Sequence, residues 1–269
     1  MICSLVTRVD RAALEAAPDL RVVANFGVGV DHIDLAAAAA RGVVVTNTPD
    51  ILTDATADLA WALLLAAARR IVEADRFVRA GRFHGWEPDL LLGTDLAGRT
   101  LGLYGAGRIG QAVGRRAVAF SMRVLYCGPT AKPAFERACG ADRVAFDDLL
   151  ARSDVLSLHA PLLPSTRGVF DRAAFARMRP GAILVNTSRG GLVREPDLVE
   201  ALREGCPAAA GLDVYEEEPA LCPGLAELPN VVLTPHLGSA TRGTRDRMAV
   251  CAAENLLAVA RGEPPPNPV

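Results

Sequence analysis

Arg189, Glu218 and His236 each follow an apolar run that is typical of a β-strand. In an open parallel sheet the carboxyl ends of the strands lie at one edge, where ligands bind. An arginine at this edge could hold a carboxylate with its planar fork and polarise a keto oxygen. A histidine could donate a proton to that oxygen, and a glutamate on its other ring nitrogen would fix the tautomer and favour the protonated ring. These residue types therefore suit hydride transfer to a 2-keto acid.

A glycine-rich turn indicates the second half of such a site. The turn follows an apolar run at 101–104 and precedes a helical stretch at 111–120 and a second apolar run at 123–127. This order of strand, glycine turn, helix and strand is the context in which a G-x-G-x-x-G pattern binds a dinucleotide. The helix N-terminus then offers free N–H groups to the phosphates. We expect the cofactor to contact all six residues of the turn, Gly105, Ala106, Gly107, Arg108, Ile109 and Gly110. The alternative is a glycine-rich turn in another α/β fold.

The segment after the second apolar run bears on which cofactor binds. An acidic residue about twenty positions into the fingerprint would hold the ribose hydroxyls of NAD. This chain has no acidic residue there before Glu136. A carboxylate would repel a 2′-phosphate, so its absence favours NADP(H), and NAD(H) stays open. The residues that we expect at the ribose are Gly128, Pro129, Thr130 and Lys132.

Composition excludes several function classes for these 269 residues. The net charge is −2 without blocks of one sign, so we expect neither a nucleic acid nor a membrane as partner. The longest apolar run, 59–68, is too short to span a bilayer, and the first residues do not resemble a signal peptide. Six cysteines are scattered without metal-ligand spacing, which predicts reduced thiols, no metal site and a cytoplasmic protein.

Apolar runs and helical patterns alternate along the chain, which predicts an α/β fold with a parallel sheet. The broken pattern at 81–98 is typical of a connection between domains. We expect a discontinuous substrate-binding domain of residues 1–70 and 240–269. A dinucleotide-binding, Rossmann-type domain with a doubly wound parallel sheet would comprise residues 71–239.

Motifs through nearly the whole chain resemble the D-isomer-specific 2-hydroxyacid dehydrogenases. They are the glycine turn at 105–110 and the segments 186–190, 211–214, 218–219 and 235–239, and the chain is most similar to the glyoxylate/hydroxypyruvate reductase branch at 50–56 and 127–129. The resemblance implies Arg189 as substrate anchor, His236 as general acid/base and Glu218 as the partner of His236. The spacing and Pro219 favour Glu218 over the neighbouring Glu216 and Glu217.

The resemblance also implies further contacts. Val28 and Gly29 would offer backbone N–H groups to the substrate carboxylate, and Ser239 would lie at the substrate. The residues implied to line the cofactor are Thr56, Pro161, Thr187, Asp213 and Gly238. We expect His32, His84 and His159 to be structural or adjacent to the cofactor, and Cys127 to be a small strand residue. The helix from about Thr56 and the arm with Phe83 and Trp86 would build a homodimer.

One departure from the family concerns the fold. The family normally begins with one more βα unit ahead of Ile2, so we expect a smaller, flavodoxin-like substrate domain without its first βα unit, from a fragment or a misplaced start. The expected activity is NAD(P)H-dependent reduction of a small 2-keto acid, glyoxylate or hydroxypyruvate, to the D-2-hydroxy acid. The alternatives are an NAD-linked enzyme for D-lactate, phosphoglycerate or another D-2-hydroxy acid, and a corepressor-like NAD(H)-binding protein.

Overall fold

The computed structural model describes residues 1–269. The chain divides into a smaller unit, residues 1–55 and 239–269, and a larger unit, residues 56–238. The predicted boundary after residue 70 differs from this division. The reason is the helix Thr53–Ala68, whose buried side chains belong to a core cluster of the larger unit.

Strands and helices alternate along the chain, as predicted for an α/β protein. The strands are β1 (Ile2–Cys3), β2 (Val22–Asn25), β3 (Val44–Thr46), β4 (Thr100–Tyr104), β5 (Arg123–Cys127), β6 (Asp142–Arg143), β7 (Val155–Leu158), β8 (Ile183–Asn186), β9 (Ala209–Leu212) and β10 (Val231–Leu233). The α-helices are α1 (Arg11–Glu15), α2 (Leu35–Ala40), α3 (Thr53–Ala68), α4 (Ile71–Arg79), α5 (Arg108–Ala119), α6 (Pro133–Cys139), α7 (Phe146–Arg152), α8 (Arg172–Phe175), α9 (Glu195–Glu204) and α10 (Arg242–Ala260), with a short 3-10 helix at Gly190–Leu192. None of these helices combines the length and apolar character needed to cross a lipid bilayer.

The smaller unit contains a parallel sheet in the order β1-β2-β3. The central strand β2 is buried throughout, and α10 packs against it. The carboxylates of Asp10 and Asp34 begin α1 and α2, because each accepts a backbone N–H of the first turn. The C-terminal tail returns to this sheet, where Val269 N–H donates to Val45 O at 2.9 Å.

The larger unit contains a seven-stranded, all-parallel sheet in the order β10-β9-β8-β7-β4-β5-β6. The strand order reverses between β4 and β7, because the chain first adds β5 and β6 on one side of β4 and then β7 to β10 on the other. Such a reversal leaves a crevice at the carboxyl ends of the two strands, which is where doubly wound sheets bind ligands. The doubly wound, Rossmann-type sheet predicted from the sequence is confirmed.

Apolar side chains cover the central strands on both faces, which explains their continuous hydrophobic runs. Leu101 and Leu103 of β4 belong to a core cluster with α3 and α5. Leu156 and Leu158 of β7 belong to a second cluster with α7, α8 and α9. With apolar layers on both faces, the polar chemistry of this unit is left to the loops at the strand ends.

Two local features differ from the sequence-based expectation. The apolar pattern from Asp54 to Phe77 suggests one long helix, whereas the structure has α3 and α4 with a break at Arg70, which adopts a left-handed conformation (φ 53°). No glycine or proline marks this break. The Arg70 guanidinium pairs with Glu73 in the first turn of α4, at 2.9 Å. The structure also contains the helix α6, which begins on a proline and was not predicted from the sequence.

Candidate active site

The glycine turn after β4 is shaped by close backbone approaches. Gly105 has φ +99°, and a Cβ added there would lie 2.7 Å from Ala160 N. A Cβ on Gly110 would lie 2.1 Å from Gly105 O. Both positions therefore admit only glycine without a backbone shift. Gln111 further fixes the turn, because its side-chain amide donates to Ala106 O at 3.0 Å.

Gly107 differs from these two glycines. It is the N-cap of α5, no side chain caps this helix, and a Cβ on Gly107 would meet no atom within 4 Å. The first turn of α5, which begins at Arg108, therefore has no side-chain cap, and its amide groups lie at the positive end of the helix dipole. This geometry fits a pyrophosphate as the sequence predicts.

The end of β5 lies beside the turn, since a Cβ on Gly128 would be 4.0 Å from Ala106 N. Arg143 of β6 donates from its guanidinium to Gly128 O and Pro129 O, with the shortest distance to each at 2.9 Å. No sequence motif marks Arg143, because an isolated arginine on a two-residue edge strand has no distinctive pattern around it. Of the predicted residues here, Thr130 is exposed and Lys132 is half-buried.

The first acidic residue after β5, Glu136, is held by protein groups. Its carboxylate accepts hydrogen bonds from the Tyr126 hydroxyl and from Lys132 N–H, the latter at 3.2 Å. The hydrogen bond from Tyr126 and the one from the Lys132 backbone lower the pKa of Glu136. Glu136 is thus an ionised group engaged with Tyr126, and Arg143 supplies positive charge at the end of β5.

The loop after β8 carries Thr187 and Arg189. The Asn186 side chain fixes this loop, because it accepts Ser188 N–H at 3.0 Å and donates to Arg189 O at 2.9 Å. Ser188 also donates to Ala160 O at 2.6 Å, which ties the loop to the end of β7 beside Pro161. The Thr187 hydroxyl is buried without a hydrogen-bond partner. A buried hydroxyl without a partner is costly, and a polar ligand such as a dinucleotide would satisfy it.

The loop after β9 is fastened to the Arg189 loop. A Cβ on Gly190 would overlap the carbonyl carbon of Tyr215, at 1.8 Å, so the two backbones are in direct contact. Glu195 is buried and accepts Glu216 N–H at 2.8 Å, and Glu216 returns the bond by accepting Glu195 N–H at 3.1 Å. Burial raises the pKa of Glu195. No sequence signal distinguishes this pair, because an acidic residue in the first turn of a helix is usually exposed to solvent.

Glu218 and His236 meet in a hydrogen-bonded pair at the ends of β9 and β10. The distance between Glu218 Oε2 and His236 Nδ1 is 2.9 Å, and Tyr215 N–H donates to the other carboxylate oxygen at 3.1 Å. Burial alone would raise the pKa of Glu218. The hydrogen bond and charge of His236, the Tyr215 amide and the Arg189 guanidinium together outweigh burial and lower it. Glu218 is therefore the glutamate of the acidic run that contacts the histidine.

His236 is held in place by its backbone. It has φ +54°, a left-handed conformation that costs energy in a non-glycine residue. Its N–H donates to Asp213 O at 2.9 Å, which ties it to the end of β9. The side chain is 31% exposed and that of Glu218 is 35% exposed, so this pair is only partly buried.

Three predicted cofactor-lining residues lie together behind this pair. The Asp213 side chain accepts hydrogen bonds from Thr234 Oγ1 (2.6 Å), Leu237 N–H (2.7 Å) and Gly238 N–H (2.8 Å), and Thr56 Oγ1 donates to Gly238 O at 3.1 Å. Burial raises the pKa of Asp213, although these donors oppose the shift. Asp213 is fully buried, whereas Glu218 faces the histidine.

His159 follows β7 beneath the glycine turn, 3.4 Å from where a Cβ of Gly110 would lie. Its Nε2 is 2.8 Å from Ser157 Oγ, and burial lowers its pKa to about 3. A neutral, hydrogen-bonded imidazole in this place agrees with the structural role expected for His159.

Val28 and Gly29 lie in the loop after β2 of the smaller unit and are half-exposed. Ser239 lies in the same unit at the entry to α10, where its carbonyl accepts Thr241 N–H at 2.8 Å. The structure therefore distributes the predicted residues over both units, with the glycine turn and the Arg189, Glu218 and His236 loops in the larger one.

The residues present fit a nicotinamide dinucleotide. Gly107 leaves open space at a helix N-terminus without a side-chain cap. The buried Thr187 hydroxyl, at the carboxyl end of β8 in the same sheet, lacks a hydrogen-bond partner. Residues 61–238 match the family described as "D-isomer specific 2-hydroxyacid dehydrogenase, NAD binding domain". This match spans most of the larger unit.

Individual relatives and solved structures are similar to this chain over nearly its full length. A glyoxylate reductase of Thermococcus litoralis is 52% identical over 271 aligned positions, which cover 99% of this chain and 82% of the relative. The crystal structure of the TT0316 protein from Thermus thermophilus superposes with a TM-score of 0.93 at 53% identity and covers 100% of this chain and 85% of that one. An NADPH-dependent glyoxylate/hydroxypyruvate reductase from Sinorhizobium meliloti, solved with NADP and malonate, has a TM-score of 0.92 at 38% identity, covering 100% and 82% of the two chains.

Proposed function

Because the chain belongs to the D-isomer-specific 2-hydroxyacid dehydrogenase family and is an NAD(P)-dependent oxidoreductase, we propose that it reduces glyoxylate or hydroxypyruvate to the D-2-hydroxy acid. The single observation that carries this proposal is the 2.9 Å contact between Glu218 and His236, at the edge of the sheet from which the glycine turn also projects. The names of the relatives from Thermococcus litoralis and Sinorhizobium meliloti support the choice of substrate.

His236 is the proposed proton donor. The bound nicotinamide supplies or accepts the hydride. With Nδ1–H donated to Glu218, the second ring nitrogen of the imidazolium gives its proton to the substrate's C2 oxygen. The Glu218 carboxylate stabilises the positive imidazolium before transfer and fixes the ring orientation. The left-handed backbone at His236 is consistent with a side chain held for chemistry rather than for stability.

Arg189 is the proposed anchor for the substrate's carboxylate and keto oxygen, a task that suits a planar guanidinium. Its loop is fixed by Asn186 and by the backbone contact between Gly190 and Tyr215. The amides of Val28 and Gly29 are the second proposed carboxylate contact, with Ser239 beside the substrate. Asp213, held by three donors, is proposed to face the nicotinamide amide.

We further propose that NADP(H) is preferred over NAD(H). Arg143 places a guanidinium at the end of β5, where NAD enzymes have a ribose-binding acid, and the nearby Glu136 is engaged with Tyr126. Replacing Arg143 by alanine should weaken NADPH binding about tenfold and change NADH binding less than twofold, because only NADPH carries a 2′-phosphate. Fluorescence titration measures both. Arg152→Ala, at the end of α7, is the matched control.

Solution assays distinguish this proposal from its alternatives. Loss of reduced-nicotinamide absorbance is followed with glyoxylate, hydroxypyruvate and pyruvate, each with NADPH and with NADH. We expect turnover of the first two acids, faster with NADPH. Preference for pyruvate with NADH would favour the NAD-linked alternative. Cofactor binding without turnover of any acid would favour the corepressor-like alternative and overturn the proposal.

We also propose a homodimer and a cytoplasmic location. Phe83 and Trp86 in the segment after α4 are 55% and 83% exposed, and clustered exposed apolar side chains commonly mark an interface. A second copy of this chain is the proposed cover. Light scattering should give twice the mass of one chain, and a monomer would contradict the dimer.

A further inference from the structure

In the loop from Phe26 to Val30 of the smaller unit, the three central carbonyl groups all accept hydrogen bonds from other protein groups. Gly27 O accepts Asn25 Nδ2 at 3.1 Å and Thr48 N–H at 3.0 Å, and Gly29 O accepts Asn25 Nδ2 at 2.9 Å. Val28 O accepts Asn47 Nδ2 at 2.9 Å. Two asparagine side chains and one backbone amide thus bind three successive carbonyls.

The direction of these carbonyls fixes the direction of the amides. Within a planar trans peptide unit the C=O and the N–H point to opposite sides. The N–H groups of Val28, Gly29 and Val30 belong to the three units whose carbonyls face the asparagines, so they point away from Asn25 and Asn47. All three residues are half-exposed, and none of these amides donates a hydrogen bond to another protein group. Successive free amides of this kind form an anion-binding concavity.

The two asparagines are themselves held. Asn25 is fully buried, and its side-chain oxygen lies 3.6 Å from Cys3 Sγ. Asn47 is bound through its backbone: its carbonyl accepts Asn255 Nδ2 at 3.3 Å, and its N–H donates to Asn267 O at 3.2 Å. Asn255 Oδ1 in turn accepts Asn267 N–H at 2.9 Å. The network therefore runs from the loop through β3 to α10 and the C-terminal tail.

We propose that Asn25 and Asn47 are positioning residues for the substrate carboxylate, acting by holding the loop carbonyls back so that the Val28 and Gly29 amides stay aimed at the anion. The inference rests on the proposed function, which assigns the carboxylate to these two amides. Without the asparagine donors, the peptide units can rotate and present a carbonyl oxygen to the carboxylate, which repels it. The asparagines need not touch the substrate.

Asn47→Ala is the first test, because Asn47 is half-buried whereas loss of the fully buried Asn25 also threatens folding. We expect the KM for glyoxylate to rise about tenfold with kcat reduced less than threefold, since the affected groups bind rather than transfer a proton. Inhibition by oxalate, a carboxylate that cannot be reduced, should weaken by the same factor. The NADPH dissociation constant should stay within twofold, because the glycine turn is in the other unit.

Two further variants separate positioning from general destabilisation. Asn47→Asp keeps the shape but exchanges the donor for an acceptor, so it should raise KM at least as much as Asn47→Ala. Asn230→Ala is the matched control: the Asn230 amide also holds two carbonyls, Leu202 O and Ala208 O, but it lies in the larger unit, directly before β10. It should leave KM and oxalate inhibition unchanged.

The outcomes are distinguishable from failure of the proposed function. Wild-type protein that turns over no 2-keto acid would overturn the proposed function itself. Wild-type turnover together with an unchanged KM and oxalate inhibition in Asn47→Ala would overturn the positioning role alone. A KM rise that Asn230→Ala reproduces would assign the effect to destabilisation and also overturn it.

Discussion

The glycine turn after β4 and the loops after β9 and β10 lie at the same edge of one sheet, yet they are built from different parts of the chain. The turn consists of backbone, and its geometry requires glycine at positions 105 and 110, where a Cβ atom would overlap neighbouring backbone atoms. The Glu218–His236 pair is made of two side chains in direct contact, and His236 helps to lower the pKa of Glu218. An added atom should therefore damage the first region, whereas a removed or neutralised group should damage the second.

The largest expected effect is on the side-chain region. His236→Ala should reduce turnover by about 10²–10⁴-fold, the usual contribution of a positioned proton donor, while NADPH binding stays within about twofold. Steady-state kinetics and a cofactor titration measure the two quantities. His84→Ala, an exposed histidine after α4, should behave like wild type. Near-normal turnover of His236→Ala would remove His236 from the acid role.

The next effect tests the backbone region. Gly110→Ala brings a Cβ to 2.1 Å from Gly105 O, so the turn must shift, and overpacking of this kind costs about 1–3 kcal/mol. We expect both a lower melting temperature and NADPH binding weakened at least about tenfold. Gly107→Ala, whose Cβ would meet no protein atom, should weaken NADPH binding but keep the melting temperature. If both variants bound NADPH normally, the turn would not be the cofactor site.

The smallest effect concerns the pH dependence of stability. The pKa of Glu218 is lowered in the folded protein, so its pairing stabilises the fold above the ordinary glutamate value of 4.5 and is lost as the pH falls through the lower folded value. Glu218→Gln should therefore show a shallower loss of melting temperature on acidification below pH 4.5. Glu217→Gln, an exposed neighbour, serves as control. If the melting temperatures of wild type and Glu218→Gln fell equally with pH, the predicted contribution of Glu218 to stability would be contradicted.

Asp213 sharpens the same comparison. Its carboxyl group is near that of Glu218 in sequence, but burial raises its pKa, whereas the His236 side chain helps to lower the pKa of Glu218. The unfolded chain binds fewer protons at Asp213 than the folded chain. Asp213 therefore opposes the loss of folding stability that Glu218 causes as the pH falls. The two carboxyl groups after β9 thus differ because burial outweighs the hydrogen-bond donors around Asp213, whereas the donors and positive charge around Glu218 outweigh its burial.

Residues that belong to a sequence motif could be predicted, whereas residues outside any motif could not. The glycine turn was predictable because a strand before it and a helix after it give the pattern its meaning. Glu218 was favoured over Glu216 and Glu217 by spacing, and the structure brings Glu218 into contact with His236. Arg143, Glu195 and Asn47 were not predictable, because each acts through backbone groups of another segment of the chain. Asn25 acts locally, on the carbonyls two and four residues later, but no motif marks this role.

The amino-acid sequence by itself determined the alternation of strands and helices, the position of the glycine turn and the identities of Arg189, Glu218 and His236, because these depend on local periodicity and on residue type. Tertiary structure alone decided which carboxyl group is buried, which guanidinium lies at the end of β5, and which carbonyl the Asn47 side chain binds. Those features arise from segments far apart in the chain, and their hydrogen bonds and burial exist only once the sheets have assembled.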